Sequence, residues 1–269
     1  MQPRAKKSLG QHFLKNPDIS RRIVDLLQIG KRDQVLEIGP GPGALTGLIY
    51  RLQPARLLLL EKDDHWAAIH GHAVSDCTNA SVRCMDALTF AWESLEGPWK
   101  IIGNLPYNIA SPLIWDCVSR IPQLILAVFM TQKEVAERLA APPGNHAYGA
   151  LSVWVQSFAK VEWGFEVGPG NFSPSPKVTS AVVRISALPR ERHPQNPNAL
   201  ARMIKLCFQQ RRKQLQAILR RHGIADAATL LKELEIDPAA RPETLDCAKF
   251  HALTLKCTPL LLTSGAMHA

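Results

Sequence analysis

Short apolar runs recur along the first part of the chain at Gln34–Ile38, Arg56–Leu60, Ser81–Cys84, Lys100–Gly103 and Leu124–Phe129, a pattern that predicts buried strands. The intervals between them are long enough for crossover helices, and that alternation implies a parallel, doubly wound sheet. Helical periodicity shows ahead of the first run in Ile23, Val24, Leu26 and Leu27, and again in Gln132–Ala141, which Pro142-Pro143-Gly144 ends. Val161–Val167 and Ser180–Ile185 read as closing strands. Pro189–Pro197, with three prolines and mixed charges, reads as a linker. Beyond it, Leu200–Arg221 and Ala227–Leu234 carry the pattern of helices. The expected organisation is one α/β domain over residues 1–188 and a small α-helical domain over 198–269, joined by the linker 189–197.

Composition narrows the class. No stretch reaches the roughly 18 uncharged apolar residues that a membrane span needs, and Met1-Gln2-Pro3-Arg4 leads into charge instead of an apolar signal core. A soluble cytoplasmic protein without a membrane partner is expected. Six cysteines stand without a CxxC pair, which argues against a zinc knot or a disulfide framework. His70 and His72 lack a second ligand pair at suitable spacing, so no metal is expected. The net charge of +9 is unevenly placed: eight Lys/Arg against three acids up to Asp33, 11 against 13 from Gln34 to Leu188, and 13 against seven beyond. The excess lies at the two ends, as expected for a protein that meets a polyanion such as RNA.

The chemistry sits at the ends of the predicted strands. Glu37-Ile-Gly39-Pro-Gly41-Pro-Gly43 follows the first strand and opens a helix, so backbone can approach a ligand closely. Its ExGxGxG spacing with interleaved prolines differs from the GxGxxG of pyrophosphate-binding loops and points to S-adenosylmethionine, which has no phosphate to cradle. Glu61 ends the second strand about 20 residues on, placed to accept the ribose hydroxyls. Asp86, after the third strand, can accept from the cofactor's adenine amino group. Asn104-Leu105-Pro106-Tyr107 ends the fourth strand. An aromatic amine is a poor nucleophile because its lone pair is delocalised into the ring. The Asn104 side-chain carbonyl and a main-chain carbonyl at Leu105 or Pro106 can accept its two N–H donors and turn the lone pair toward a methyl group. Tyr107 offers a ring for stacking on an extruded base.

With these motifs in order, the sequence resembles the ribosomal RNA adenine dimethyltransferase family, in particular its bacterial branch that modifies two adjacent adenosines near the 3′ end of small-subunit rRNA. The resemblance covers nearly the whole chain, through Lys7–Leu14, Glu37–Thr46, Asp86-Ala87, Gly103–Pro112, Met130–Glu134, Tyr148-Gly149, Leu151-Ser152, Phe172–Val178, Phe208–Lys213 and Arg241–Leu245. It implies a Rossmann-like class I S-adenosylmethionine-dependent methyltransferase sheet followed by a helical domain that binds rRNA. It also implies that Gln11–Leu14 closes over the cofactor, with His12 and Leu14 as contacts, that Asn104 borders the cofactor too, and that Phe172 sandwiches the target adenine opposite Tyr107. Ala150 departs from the arginine expected after Tyr148-Gly149, which bears on one RNA or loop contact and not on catalysis.

A basic helix carrying Arg211, Arg212 and Lys213, together with Arg220 and Arg221, is the expected grip on the rRNA backbone. The implied partner is small-subunit rRNA in the 30S subunit or its precursor, met by a monomer. Two other readings share these features. Large-subunit adenine methyltransferases that confer macrolide resistance have the same glycine loop and Phe-x-Pro-x-Pro-Lys pattern, and a non-catalytic assembly or transcription factor could use the same fold. Leu105, Asn108–Pro112 and the Arg-Arg-Lys run favour the small-subunit branch. Intact Glu37, Glu61, Asp86, Asn104 and Tyr107 speak against loss of catalysis.

Overall fold

The computed structural model describes residues 11–263; Met1–Arg4 and Lys7–Gly10, the start of the Lys7–Leu14 motif, lie outside them. In chain order the first elements are β1 (Phe13–Leu14), α1 (Pro17–Leu27), β2 (Gln34–Ile38), α2 (Thr46–Arg51), β3 (Arg56–Glu61), α3 (Asp64–Ala73), β4 (Ala80–Cys84) and β5 (Trp99–Asn104). There follow α4 (Ala110–Arg120), β6 (Leu124–Gln132), α5 (Lys133–Ala140), α6 (Ala150–Gln156), β7 (Ala159–Val167), β8 (Phe172–Ser173) and β9 (Ser180–Ala187). The remainder is helical: α7 (Pro197–Gln209), α8 (Leu215–Arg221), α9 (Ala227–Glu233) and α10 (Cys247–Thr263). Among the described residues no helix is long and apolar enough to cross a membrane, and no group of three or more His, Cys, Asp or Glu could hold a metal ion.

Local chemistry sets these elements. Asn16 caps α1, its side-chain oxygen accepting from the Asp18 and Ile19 N–H groups, and Pro17 occupies the first turn, where its missing N–H costs nothing. Ile23, Val24 and Leu27 then make one buried stripe. Leu57–Leu60 of β3 are all buried, as suits a strand covered on both faces.

Seven strands form one sheet in the order β4-β3-β2-β5-β6-β9-β7, with β4, β3, β2, β5 and β6 running parallel. The five strands expected to run parallel do so, and the closing strand β9 adds antiparallel to β6, with Met130 opposite Val182. The twelve-residue connection 168–179 that leads from β7 into β9 holds three prolines, a short 3₁₀ turn and β8.

Register fixes where the site falls. Ile38 lies opposite both Leu60 and Gly103, Glu61 opposite Cys84, and Asn104 opposite Met130. The carboxyl ends of β2, β3, β4 and β5 therefore share one rim. The chain leaves β2 toward β3 and β4 on one side and later returns to β5 and β6 on the other, so this rim includes the switch point where open α/β sheets bind ligands. Gly103 belongs to the same construction. A Cβ there would stand 2.9 Å from the Ile38 carbonyl oxygen and 2.9 Å from Leu105 Cδ2. Gly103→Ala is expected to destabilise the protein by about 2–3 kcal/mol, read as a lowered urea midpoint with an unchanged slope.

The chain divides into two compact units, but not at the expected place. One comprises residues up to Ala136 with Lys160–Ala187; the other comprises Glu137–Ala159 with the chain from Leu188 on. The second unit thus recruits α6 from the middle of the sequence. There Tyr148 is fully buried and its hydroxyl donates to the Leu245 carbonyl at 2.9 Å, while Phe208 of α7 stacks on Phe250 of α10. The single helical run expected over Leu200–Arg221 is broken at Gln210–Gln214 into α7 and α8. Six consecutive polar residues, Gln209–Gln214, leave that turn nothing to bury, whereas Leu215, Ile218 and Leu219 resume the packing.

Candidate active site

At this rim the first unit holds an open-mouthed cavity of about 910 Å³ of empty space, mouth included. His12, Gly39, Gly41, Glu61, Asp86 and Asn104–Tyr107 line it. Gly39 and Gly41 have φ of +65° and +51°, and a Cβ at Gly39 would meet nothing within 4 Å, so any side chain there would project into open space. The loop is tied down by its neighbours: Gly39 N–H donates to the Leu60 carbonyl at 2.8 Å, and Gly41 N–H to Glu61 Oε2 at 2.9 Å.

Glu61 is buried, and its other oxygen accepts from Asp63 N–H at 2.8 Å. Each oxygen keeps a lone pair for a further donor. Asp86 pairs with Lys62 at 2.7 Å and caps the following turn through Leu88 N–H at 3.0 Å. The hydrogen-bonded Lys62 ammonium holds its carboxyl below the usual range. Asn104 donates its amide N–H to the His12 carbonyl at 3.0 Å, which settles the orientation of the amide: Oδ1 is the end left to accept. Leu105 N–H donates to the Met130 carbonyl at 2.9 Å and fixes the turn, and the Pro106 carbonyl already accepts from Ile109 N–H at 3.1 Å.

The Tyr107 hydroxyl bonds Ser180 Oγ at 2.7 Å, with its pKa raised by burial, and its ring lies stacked on the His12 imidazole, centroids 5.6 Å apart. His12 is held in turn by the bond from Nδ1 to the Pro174 carbonyl at 2.8 Å.

Four of the residues expected in the site stand elsewhere. Phe172, expected to face Tyr107 across the target base, is only 2% exposed and belongs to the apolar core with Leu14, Val167 and Val182; β8 pairs with β1, Leu14 opposite Phe172, and neither side chain borders the cavity. In β1 the side chains alternate: Phe13 packs against Trp66 on the cavity side, and Leu14 turns inward opposite Phe172. Leu14 packs in the same core cluster. Gly43 and Glu37 lie behind the loop instead of lining the cavity. Glu37 is buried, its Oε2 without a hydrogen-bond partner, and burial pushes its pKa up to about 8, with the Glu61 carboxylate adding to the shift.

The basic cluster is likewise rearranged. Arg211, Arg212 and Lys213 occupy the turn between α7 and α8, not a helix, and Arg220 and Arg221 end α8. Arg211 is engaged within its unit, donating to the His146 carbonyl at 2.6 Å, whereas Arg212, Lys213, Arg220 and Arg221 are exposed. Sequence reasoning missed Met85, which joins the cavity wall beside Asp86, although its place next to a strand-end acid was a usable signal. It also missed the role of His70, whose side chain reaches the glycine loop from α3.

A five-stranded parallel core with an antiparallel addition, a glycine loop at the switch point and acids at the next two strand ends define an S-adenosylmethionine-dependent methyltransferase. The donor set suits that cofactor: open space over Gly39 for close contact with backbone, a buried carboxylate at Glu61 and a second carboxylate at Asp86. The chain belongs to the Ribosomal RNA adenine dimethylase family, whose model matches residues 2–257. It is similar to Ribosomal RNA small subunit methyltransferase A of Nitratidesulfovibrio vulgaris strain DP4, 58% identical over 94% of this chain and 96% of that protein. The protein of the same name from Lawsonia intracellularis is 53% identical over 93% of each chain. Among solved structures, a dimethyladenosine transferase from Plasmodium falciparum superposes with a TM-score of 0.81 at 28% identity, covering 93% of this chain and 98% of that one. The 23S rRNA methyltransferase ErmE shares the fold, with a TM-score of 0.69 at 24% identity over 91% of this chain and 98% of its own.

Proposed function

We infer that this enzyme dimethylates the exocyclic N6 of two adjacent adenosines near the 3′ end of small-subunit rRNA, acting in the cytoplasm as a monomer on the 30S subunit or its precursor. The observation that carries the reading is the orientation of Asn104. With its N–H committed to the His12 carbonyl, Oδ1 accepts one N–H of the target amine, and the Leu105 carbonyl, unlike that of Pro106, has no turn bond among the described residues competing for the second. Two acceptors in that arrangement draw the amine's hydrogens out of the ring plane, which takes the lone pair out of conjugation with the ring and directs it away from them. When bound, S-adenosylmethionine supplies an electrophilic methyl group. Glu61 receives its ribose, Asp86 its adenine amine, and the backbone at Gly39 and Gly41 the remaining end. No strongly basic side chain is required, because the amine's proton becomes acidic only after the methyl is attached and is then lost to water.

The test is mass spectrometry of rRNA after incubating isolated small and large subunits with enzyme and isotopically labelled cofactor. Two methyl groups on each of two neighbouring adenosines in small-subunit RNA are expected; labelled large-subunit RNA would instead favour the macrolide-resistance reading.

Arg212, Lys213, Arg220 and Arg221 are assigned to the RNA backbone because they are exposed and clustered on two adjoining segments of one unit. Replacing all four by Ala should weaken subunit binding and lower the slope of log affinity against log salt by roughly 1 for each phosphate no longer neutralised, leaving cofactor affinity unchanged. A salt dependence identical to wild type would remove these residues from the interface.

A further inference from the structure

His70 lies on α3 with 7% of its surface exposed, outside the lining of the cavity, and its Nε2 is 2.8 Å from the Gly41 carbonyl oxygen. A carbonyl can only accept, so Nε2 carries the proton and donates it. Gly41 is thereby held on both sides of its Cα: its N–H by Glu61 Oε2 at 2.9 Å, its carbonyl by His70. The residue is buried and in the left-handed region, at φ +51°.

The two holding groups share a frame. Asp63 caps α3 by accepting from His65 N–H, gives its own N–H to Glu61 Oε1, and accepts from Gln11 Nε2 at 3.2 Å. The helix that carries His70 is therefore anchored at its start to the same carboxylate that secures the other side of the loop, and to the segment that precedes His12. His70 also fills the space over Gly43, where its Cε1 would lie 3.3 Å from a Cβ.

We propose that His70 is a positioning residue of the cofactor site, which fixes the Gly41 carbonyl and so preorganises the Gly39–Gly43 loop for the adenosyl cofactor. The inference rests on the assignment of that loop to S-adenosylmethionine. Without the donor, the Gly41 carbonyl is left unsatisfied in a buried turn, and the loop regains alternatives that binding must then suppress. The effect falls on cofactor affinity and not on the transfer step, because His70 touches the loop and not the amine-binding turn at Asn104.

The test uses the full-length enzyme and S-adenosylhomocysteine as the probe, with affinity read by calorimetry and loop order by hydrogen exchange of residues 39–47 in the cofactor-free protein. His70→Phe, which keeps a ring and loses the donor, should bind the probe about tenfold more weakly and exchange faster in that segment. Its KM for cofactor should rise in step, while kcat at saturating cofactor and KM for the subunit stay within about twofold of wild type. His70→Gln, which keeps an N–H donor, should recover affinity to within about threefold of wild type. Wild-type affinity in His70→Phe, or a His70→Gln variant as weak as His70→Phe, would overturn the proposal, the latter because it would reduce the residue to a space-filler. Should His70→Phe fail to fold, His70→Gln decides alone: near-wild-type affinity and exchange support the proposal, and about a tenfold loss overturns it. Failure of the wild-type protein to bind the probe would instead count against the cofactor assignment itself.

Discussion

Asn104→Ala is expected to keep its fold and its hold on the small subunit while losing methyl transfer by at least about 10³-fold in kcat, the scale of removing one preorganised group that acts on developing charge. The side chain is half-buried at the end of a central strand, so its truncation disturbs little of the packing. What disappears is the Oδ1 acceptor, without which the amine binds through one carbonyl and keeps its lone pair in conjugation. Asn104→Asp separates the two functions of the side chain. It retains an acceptor but sets an oxygen against the His12 carbonyl, which now accepts from the Asn104 amide at 3.0 Å, so the carboxylate must turn away. Only a small part of the activity should return. Single-turnover transfer measured beside sedimentation of enzyme with the subunit separates chemistry from binding. Unchanged turnover in Asn104→Ala would refute the catalytic assignment.

How much of this was legible in the sequence depends on the length over which a pattern repeats. Runs of four to seven mostly apolar residues announce strands, and every run read that way appears within a residue or two at its start, the central strands β2 and β3 because burial on both faces leaves no other solution, the outer strands β4 and β7 although much of their surface stays open. The strand-end placement of the candidate residues followed from them, since Glu61, Asp86 and Asn104 are each the residue at or just beyond a strand's carboxyl end. Two-residue strands have no period to detect. The pairing of β1 with β8, and with it the inward turn of Leu14 and Phe172, was therefore invisible, and the aromatic ring expected over the target base is in the core. The break between α7 and α8 misled for the opposite reason: polar residues on a helix face and polar residues in a turn look alike when read singly. His70 could not be read as a ligand of the loop, because nothing in a lone histidine says which distant carbonyl it meets.

Glu37→Gln carries the second large effect, on stability and its dependence on pH. Burial raises the Glu37 carboxyl from 4.5 to about 8, so in the cofactor-free protein it stays protonated at neutral pH, whereas in the unfolded chain it ionises. The folded state then binds the extra proton throughout the window from about pH 4.5 to pH 8. The stability tied to this group is fully present below the lower value and is lost as pH rises through the window, by about 1.4 kcal/mol per unit and on the order of 5 kcal/mol in all. Glutamine copies the neutral carboxyl and abolishes the slope. Urea unfolding of the cofactor-free variant should give a stability lead over wild type that grows from pH 5 to pH 8 and levels beyond, and equal pH profiles would show that Glu37 is ionised when folded. The orphaned Oε2 behind the glycine loop gives this cost a purpose. A cationic ligand group brought to that loop makes ionisation favourable, so cofactor binding by the wild type should release a proton near pH 7, and calorimetry in buffers of different ionisation enthalpy should detect it. The glutamine variant should bind more weakly and release none, which ties the instability of the empty site to the selectivity of the filled one.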